Sequence, residues 1–240
     1  MSTHQKDFDR IALVSTDGAT HNEHYHNFLL HYLTSNCRDA LEVGCGTGGF
    51  ARRLAERSEH VLALDLSPEM IRLARERSAH FPNIDFQLVD VRDWSFPVAC
   101  FDCIASIATL HHLPYPEILS QMKAALKPGG VLLILDLFEP AGISDSLLNL
   151  LALPVSAGLR LLHHGRLLPH REVRDAWNAH EQHDSYPTMS EVRALCERTL
   201  PGAKIRKHLL WRYSIVWQKS KVQGPKSKSE FETDCSKSED

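Results

Sequence analysis

The sequence predicts an α/β protein whose mostly parallel, doubly wound sheet of seven strands carries helices on both faces. Short apolar runs alternate with helical patterns in the first half of the chain, which is typical of parallel strands joined by crossover helices. A glycine-rich turn stands between the first strand and the helix that follows it. Two more apolar runs near the C-terminus are predicted to add an antiparallel hairpin. The chain has 240 residues, 43% hydrophobic and 24% charged, which is ordinary globular usage.

The seven predicted strands are short apolar runs bounded by turn residues or by helical patterns. In order they are 40–43, 61–65, 84–88, 101–106, 131–137, 203–210 and 213–219. Helical patterns separate most of the first five, so right-handed crossovers would make those strands parallel. Their carboxyl ends then meet at one edge of the sheet, where ligands bind in doubly wound folds.

The predicted helices have apolar residues at helical spacing. They cover 21–33, 50–57, 68–80, 115–126, 143–162, 169–180 and 189–200. Ser67 before Pro68 suits a helix start, and Thr188 with Glu191 has the pattern of a capping box.

These elements divide the chain into three parts. Residues 1–35 are predicted to form an N-terminal arm, a loop or partly ordered segment over 1–20, followed by a helix. Residues 36–219 form the main domain, in which a helical insert at 140–185 would lie over the mouth of the site. Residues 220–240 are rich in Lys, Ser, Glu and Asp and are predicted to be disordered.

The most informative motif is the glycine-rich turn Glu42-Val43-Gly44-Cys45-Gly46-Thr47-Gly48. Glycines let backbone N–H groups approach a ligand without an intervening Cβ. Asp65 ends the next strand, nineteen residues after Gly46, and a carboxylate there can accept hydrogen bonds from both hydroxyls of a ribose. Together the two features predict a nucleoside-bearing cofactor across the ends of two adjacent strands.

Two cofactors fit a glycine turn followed by an acidic residue. Gly44, Gly46 and Gly49 satisfy the dinucleotide pattern, so NAD has to be considered. Glu42 argues against NAD, because its charge would repel a pyrophosphate but attract a cationic amino group. The tighter spacing of Gly44, Gly46 and Gly48, and the roughly forty residues ahead of the turn, also favour S-adenosylmethionine.

Residues 36–137 resemble the class I S-adenosylmethionine-dependent methyltransferases, in the broad branch that acts on small molecules. Three segments look like that family's first motif, its ribose-binding strand end and the turn before its fifth strand. They are Glu42-Val43-Gly44-Cys45-Gly46-Thr47-Gly48, Leu64-Asp65-Leu66-Ser67-Pro68-Glu69-Met70 and Leu126-Lys127-Pro128-Gly129-Gly130. The resemblance implies a Rossmann-like sheet and methyl transfer from S-adenosyl-L-methionine to a small molecule, with S-adenosyl-L-homocysteine as the product.

The candidate cofactor contacts follow from this resemblance and from what each residue can offer. The backbone at the turn would lie against the methionine part, and the carboxyl groups would bind the ammonium group and the ribose. The candidates are Glu42, Gly44, Cys45, Gly46 and Gly48 for the methionine part, Asp65 for the ribose, Leu66, Met70, Asp90 and Val91 for the adenine, and Ser106 and Ile107 for the reacting end. An ordinary tight turn at 44–48 and a helix or loop cap at Asp90 are the alternatives.

Histidines after the fourth strand are the candidates for catalysis. Methyl transfer is an in-line displacement, and it needs a general base only if the acceptor is a hydroxyl, an acid or a protonated amine. His111 and His112 could supply that base, or they could shape the loop. The resemblance also implies that the helix at 21–33 is a lid over the cofactor, which makes Tyr25 and His26 candidates for the pocket rim. The alternative is a helix packed on the sheet edge.

Composition and spacing argue against several other properties. Cys100 and Cys103 form a lone C-x-x-C without a second pair of ligands at comparable spacing, and the 15 histidines show no clear ligand spacing, so no metal is expected. A net charge of −3 does not favour a nucleic-acid partner, and no apolar stretch is long enough to cross a bilayer. The polar N-terminus lacks the apolar core of a signal peptide, which predicts a cytoplasmic protein. The oligomeric state is left open.

Three other functions also remain open. A methyltransferase for tRNA wobble-uridine side chains is one, because Ser106-Ile107-Ala108 followed by His111-His112 is similar to that group, although the chain has no basic stripe. A non-catalytic S-adenosylmethionine-binding protein is the second, since a fold does not fix a function. An NAD-dependent oxidoreductase is the third.

Overall fold

The computed structural model describes residues 3–14, 22–141, 158, 171–181 and 184–221, and it contains a seven-stranded sheet. In chain order the strands are β1 (Asp39–Val43), β2 (His60–Asp65), β3 (Ile84–Leu88), β4 (Phe101–Ile107), β5 (Leu126–Leu137), β6 (Lys204–Lys207) and β7 (Arg212–Gln218). Across the sheet their order is β3-β2-β1-β4-β5-β7-β6. Strand β7 is antiparallel to both neighbours, whereas the pairs among β1 to β5 are parallel. The predicted Rossmann-like, doubly wound fold with an antiparallel C-terminal hairpin is confirmed.

Helices connect and flank these strands. The α-helices are α1 (Thr3–Val14), α2 (His26–Leu30), α3 (Gly49–Ala55), α4 (Pro68–Arg77), α5 (Tyr115–Ala125), α6 (Arg171–Glu181) and α7 (Met189–Thr199), and two 3-10 helices cover Glu23–Tyr25 and Leu110–His112. The predicted caps are present. Ser67 Oγ accepts a hydrogen bond from Met70 N at 3.1 Å where α4 begins, and Thr188 with Glu191 completes a capping box where α7 begins.

The helices cover both faces of the sheet because each strand turns alternate residues to opposite sides. In β5, Leu132 and Ile134 pack in the core with α5 and α7, whereas Leu133 and Leu135 belong to the core beneath α2, α3 and α4. All four side chains are fully buried. The strand order reverses between β1 and β4, so the carboxyl ends of these strands form the edge where a ligand site is expected.

The N-terminal segment differs from the prediction. The loop predicted at 1–20 is wrong for Thr3–Val14, which forms α1. Ile11 and Ala12 are buried against α4 and α6, with Phe8 packed beside them. These three apolar positions have helical spacing, but they are few, and the helix is stabilised by the surfaces it packs against more than by its own sequence.

Three other predicted elements differ in extent. Segment 21–33 contains a 3-10 helix and α2 instead of one continuous helix. The turn predicted at 126–130 belongs to β5, whose pairing with β4 shifts register in this region, and Gly129 has φ of 85°. The strand predicted at 203–210 ends three residues early as β6, because Leu210 has φ of 62° and cannot continue an extended strand.

The insert is described only in part. The helix predicted at 169–180 is confirmed as α6 over 171–180, while the helix predicted at 143–162, apart from residue 158, and the tail from 222 onward lie outside the described residues. The cysteines that the structure describes, Cys37, Cys45, Cys100, Cys103 and Cys196, are free thiols. Among the described helices, none combines the length and the apolar character that a membrane crossing requires.

Candidate active site

The turn between β1 and α3 needs glycine for two different reasons. Gly44, Gly46 and Gly48 all have left-handed backbone angles, with φ of 76°, 51° and 78°. A Cβ on Gly44 would lie 2.2 Å from Thr109 Oγ1, so this glycine also makes room for the loop after β4. A Cβ on Gly46 would have no heavy atom within 4 Å. The turn therefore faces open space at Gly46, where a ligand could lie against the backbone.

Asp65 lies against the same turn. Its Oδ2 accepts a hydrogen bond from the Gly46 N–H at 2.7 Å, and its Oδ1 accepts one from the Ser67 N–H at 2.9 Å. Each oxygen keeps a second lone pair for a hydroxyl donor. Burial raises the pKa of Asp65, and the backbone hydrogen bonds from Ser67 and Gly46 offset part of that effect. The carboxylate and the glycine turn are thus in direct contact and can share one ligand.

Glu42 is a buried carboxyl group with an unpaired oxygen. The residue is 1% exposed, and its Oε2 has no hydrogen-bond partner among the described residues. Burial raises the pKa of Glu42 well above its usual range, the charge of Asp65 raises it further, and Arg52 offsets only part of this. Such a carboxyl is unfavourable unless a donor or a cation binds to it. Together Glu42, Asp65 and the open side of the turn could hold an ammonium group, a ribose and the chain between them, which are parts of S-adenosylmethionine.

Most other predicted cofactor residues have structural partners. Cys45 and Val91 are buried, and Ser106 Oγ donates to Val43 O at 2.9 Å inside the sheet. Met70 packs beneath α1 in a small apolar cluster. These contacts explain the residues as parts of the fold, so their contacts with a cofactor stay predictions.

Asp90 is held by its own loop. Arg92 donates from Nε to Asp90 Oδ1 at 2.8 Å and from Nη2 to Oδ2 at 2.5 Å, and its backbone N–H also donates to Oδ1 at 3.1 Å. These hydrogen bonds from Arg92 lower the pKa of Asp90. The contacts match the loop cap that was the alternative to adenine binding. Leu66 and Ile107 are half-buried at the ends of β2 and β4.

Helix α1 covers the corner formed by Asp65 and Ser67. Ser67 Oγ donates to Asp9 Oδ1 of α1 at 2.5 Å. The same helix packs against α4 and α6 through Ile11 and Ala12. The element that covers this edge of the sheet is therefore α1, in the segment where the sequence predicts a loop.

The predicted lid residues make other contacts. The Tyr25 hydroxyl donates to Leu209 O at 2.8 Å, which ties it to the connection between β6 and β7. His26 is buried with its ring centroid 4.9 Å from that of Phe50, and burial lowers its pKa to about 4. These contacts match a helix packed on the body of the domain, and a place for Tyr25 and His26 on the pocket rim stays a prediction.

His111 and Asp136 form a hydrogen-bonded pair across the ends of β4 and β5. Their Nδ1 and Oδ1 atoms are 2.6 Å apart, and the side chains are 4% and 1% exposed. Asp136 also accepts hydrogen bonds from the backbone N–H groups of His111, at 3.0 Å, and Leu137, at 2.9 Å. Three donors therefore fix the carboxylate, which in turn fixes the orientation of the imidazole ring.

His112 points toward a different carboxylate. Its Nδ1 is 3.1 Å from Asp184 Oδ1, and His180 Nε2 is 3.4 Å from Asp184 Oδ2. The Tyr186 hydroxyl donates to Asp184 Oδ2 at 3.1 Å. Burial lowers the pKa of His112 and of His180. For Asp184, burial raises the pKa, but the neighbouring histidines outweigh it and the net pKa is lowered.

Several residues of this region were missed by the sequence analysis. Asp136 was taken only as part of a buried strand, and His4 and Asp7 belong to the helix predicted as loop. Asp184 is near His112 because α6 returns the chain to the mouth of the site. No short spacing connects these positions, although an acidic residue inside an apolar strand such as β5 was a signal that could have identified Asp136.

Comparison with known proteins shows which family the chain is similar to. Residues 40–130 match a family described as a methyltransferase domain. An uncharacterized methyltransferase from Mycobacterium bovis is 30% identical over 201 residues, which cover 82% of this chain and 95% of that protein. A ubiquinone biosynthesis O-methyltransferase from Xanthomonas axonopodis is 31% identical over 144 residues, which cover 55% and 60% of the two chains.

A solved structure has the same fold. The N-methyltransferase NodS from Bradyrhizobium japonicum, in complex with S-adenosyl-L-homocysteine, aligns with a TM-score of 0.60 and 16% identity over 91% of this chain and 99% of that one. At that identity the likeness concerns the fold, while the Mycobacterium relative spans most of both sequences. The chain therefore belongs to the class I S-adenosylmethionine-dependent methyltransferase family.

Proposed function

We propose that the protein methylates a small-molecule acceptor that loses a proton during the transfer, with His111 as the general base. A hydroxyl is the acceptor that this base suits best. The observation that carries the proposal is the His111–Asp136 pair, whose ring and carboxylate atoms are 2.6 Å apart. The pair lies near the glycine turn, because Thr109, two residues before His111, donates to Gly44 O at 3.3 Å.

In this proposal the first half of the site holds the methyl donor. Glu42 accepts from the ammonium group, Asp65 accepts from the ribose hydroxyls, and the backbone at Gly46 lies against the methionine part. When bound, S-adenosylmethionine supplies a methyl group on a sulfonium sulfur, whose positive charge makes that carbon electrophilic. Binding at these groups holds the methyl carbon at a defined place for in-line attack, and such positioning is a large part of catalysis.

In the second half of the site, His111, paired with Asp136, would accept the proton that the acceptor loses. Asp136 accepts from His111 Nδ1–H, so the neutral ring keeps its lone pair on Nε2. That nitrogen would take the proton of an acceptor hydroxyl while the oxygen gains the methyl group and the methyl–sulfur bond breaks, leaving S-adenosyl-L-homocysteine. Asp136 stabilises the resulting imidazolium without taking the proton itself, as in other base–carboxylate pairs. His112 is turned toward Asp184, so we assign the base to His111 alone.

Support for a small acceptor is compositional and comparative. The net charge is −3, which does not attract a polyanion such as tRNA. One relative is named as an O-methyltransferase of ubiquinone biosynthesis, which fits a hydroxyl acceptor. Methylation of tRNA and binding of the cofactor without catalysis are the rival outcomes of the test below.

The test is a methyl-transfer screen with labelled S-adenosylmethionine against phenols, carboxylic acids, amines and tRNA. We expect a phenol or another hydroxyl compound to be methylated. With that acceptor, His111→Gln and Asp136→Asn should each lower kcat by about 10²- to 10⁴-fold and leave the Kd for S-adenosylmethionine unchanged. His31→Gln, which changes an exposed histidine, is the matched control.

Three outcomes would contradict the proposal. Methylation of tRNA but of no small molecule would support the tRNA rival. Tight binding of S-adenosylmethionine with no turnover of any acceptor would support a non-catalytic protein. A fully active His111→Gln variant would rule out His111 as the base.

A further inference from the structure

A second group of ionisable side chains lies next to His111 and takes no part in the proposed methyl transfer. We call it the histidine cluster, and it consists of His4, Asp7, His112, His180 and Asp184. The ring centroid of His112 is 5.2 Å from that of His4 and 5.0 Å from that of His180. Its members come from α1, the 3-10 helix after β4, α6 and the segment after α6.

The cluster contains most of the unpaired buried polar atoms in the described part of the chain. Six buried side-chain atoms lack a hydrogen-bond partner there, and five of them belong to the cluster. These five are His4 Nδ1, Asp7 Oδ2, His112 Nδ1, His180 Nδ1 and Asp184 Oδ1. His112 Nδ1 and Asp184 Oδ1 are only 3.1 Å apart, yet they lack the alignment of a hydrogen bond. His180 Nδ1 likewise lies 3.7 Å from Asp7 Oδ2 without a hydrogen bond. Buried polar atoms are normally hydrogen-bonded, so five neighbouring atoms that make no hydrogen bond indicate a place for a ligand.

We propose that His4, His112 and Asp184 bind a divalent transition metal ion, with zinc as the best fit. One ligand atom from each residue lies within 4.8 Å of the other two. Zinc binds imidazole nitrogen at about 2.0–2.1 Å, so two ligands of a tetrahedral ion are roughly 3.4 Å apart. Side-chain movements on the order of 1 Å would bring the three atoms to that spacing. Two imidazoles with one carboxylate favour zinc, cobalt or nickel over magnesium or calcium.

The surrounding residues suit this role. His180 Nε2 lies 3.4 Å from Asp184 Oδ2, and the Tyr186 hydroxyl donates to that same oxygen at 3.1 Å. These contacts hold the carboxylate so that Oδ1 faces His112. Partners that orient a ligand in this way raise metal affinity.

The ion would join three stretches of chain that are distant in sequence. His4 is near the start of α1, His112 follows β4, and Asp184 follows α6. Binding of the metal ion would therefore hold α1 in place over the site. The rings of His111 and His112 are in contact, with centroids 3.8 Å apart and planes tilted by 50°, so the ion would also limit the movement of the residue next to the proposed base.

Metal titration tests this proposal without any acceptor. The chelator-stripped full-length protein is titrated with Co²⁺, read by visible absorption, and with Zn²⁺, read by calorimetry and by thermal unfolding. We expect one ion per chain, and at about 100-fold excess over Kd a rise in Tm on the order of 5 °C. His4→Gln and Asp184→Asn should each weaken binding at least about tenfold, whereas His80→Gln, an exposed histidine, should bind as the wild type does.

Circular dichroism of each variant checks that its fold is retained. Absence of stoichiometric binding below roughly 100 μM would overturn the proposal, since that affinity is far weaker than a built zinc site provides. Equal binding by the wild type, His4→Gln and Asp184→Asn would also overturn it, because the ion would then lie elsewhere. Neither result bears on methyl transfer, which is measured separately.

Discussion

The two halves of the site are built in different ways. The cofactor half, at the ends of β1 and β2, uses backbone groups and two carboxyls that lie between residues 42 and 67. The acceptor half, at the ends of β4 and β5, consists of the His111–Asp136 pair, and the histidine cluster beside it draws on residues from His4 to Asp184. Local backbone geometry therefore positions the residues of the cofactor half, whereas the tertiary packing of α1 and α6 positions residues beside the acceptor half. Substitutions in the cofactor half should lower the stability of the fold and the affinity for the cofactor. Substitutions in the acceptor half should lower the rate of methyl transfer, and those in the histidine cluster should weaken metal binding.

The largest effect on stability is expected at Gly44. Gly44→Ala should lower the free energy of unfolding by about 2–5 kcal/mol, because a left-handed residue with a Cβ costs about 1–2 kcal/mol and overpacking against Thr109 adds about 1–3 kcal/mol. Gly202→Ala is the matched control, since Gly202 has φ of 81° and open space around it. It should lose only the backbone part, about 1–2 kcal/mol. Urea unfolding measures both, and equal losses would refute the role of packing against Thr109.

A smaller effect, on the affinity for S-adenosylmethionine, is expected from the unpaired carboxyl group of Glu42. Burial raises its pKa in the free protein, and a bound ammonium group would lower it again. Affinity for S-adenosylmethionine should therefore be highest above the free-protein pKa and should fall, by at most about tenfold per pH unit, as the pH decreases through it.

Calorimetry across the pH range in which the protein stays folded, in buffers of different ionisation enthalpy, measures this affinity and the proton released on binding. Glu42→Gln should bind more weakly at the pH where the wild type binds most tightly, and it should lose most of the pH dependence. Because the pKa of Asp65 is also raised, Asp65→Asn is measured in the same series to separate the two carboxyls. Identical pH profiles for the wild type and Glu42→Gln would show that Glu42 does not face the ammonium group.

The sequence predicts that the glycine turn and Asp65 lie close together, because the signals for both are local. Gly44, Gly46 and Asp65 belong to one strand–turn–helix–strand unit, and the alternation of strands and helices fixes how that unit folds. The same reasoning located β1 to β5 and the capping box at Thr188. It could not show that Gly44 is packed against Thr109, since that contact joins two distant turns.

The acceptor half and the histidine cluster beside it are poorly predicted, because their residues meet only after the chain has folded. Asp136 is one polar residue inside an apolar strand, and its partner His111 lies on the neighbouring connection. His4 belongs to α1, which is stabilised by packing against α4 and α6. The first twenty residues therefore contain too few apolar positions at helical spacing to predict a helix. For this reason a search by spacing predicted no metal, although the fold brings His4, His112 and Asp184 together.

The central claim is that the glycine turn and Asp65 hold one adenosyl compound between them. Calorimetric titration of the wild type with S-adenosylmethionine and with NAD, followed by Asp65→Ala, tests it most directly. We expect stoichiometric binding of S-adenosylmethionine and no comparable binding of NAD. We further expect that Asp65→Ala, with its fold retained, weakens the affinity roughly 5- to 150-fold, as expected for the loss of about 1–3 kcal/mol when buried donors lose their partner. Tight NAD binding without S-adenosylmethionine binding, or unchanged affinity in Asp65→Ala, would contradict the claim.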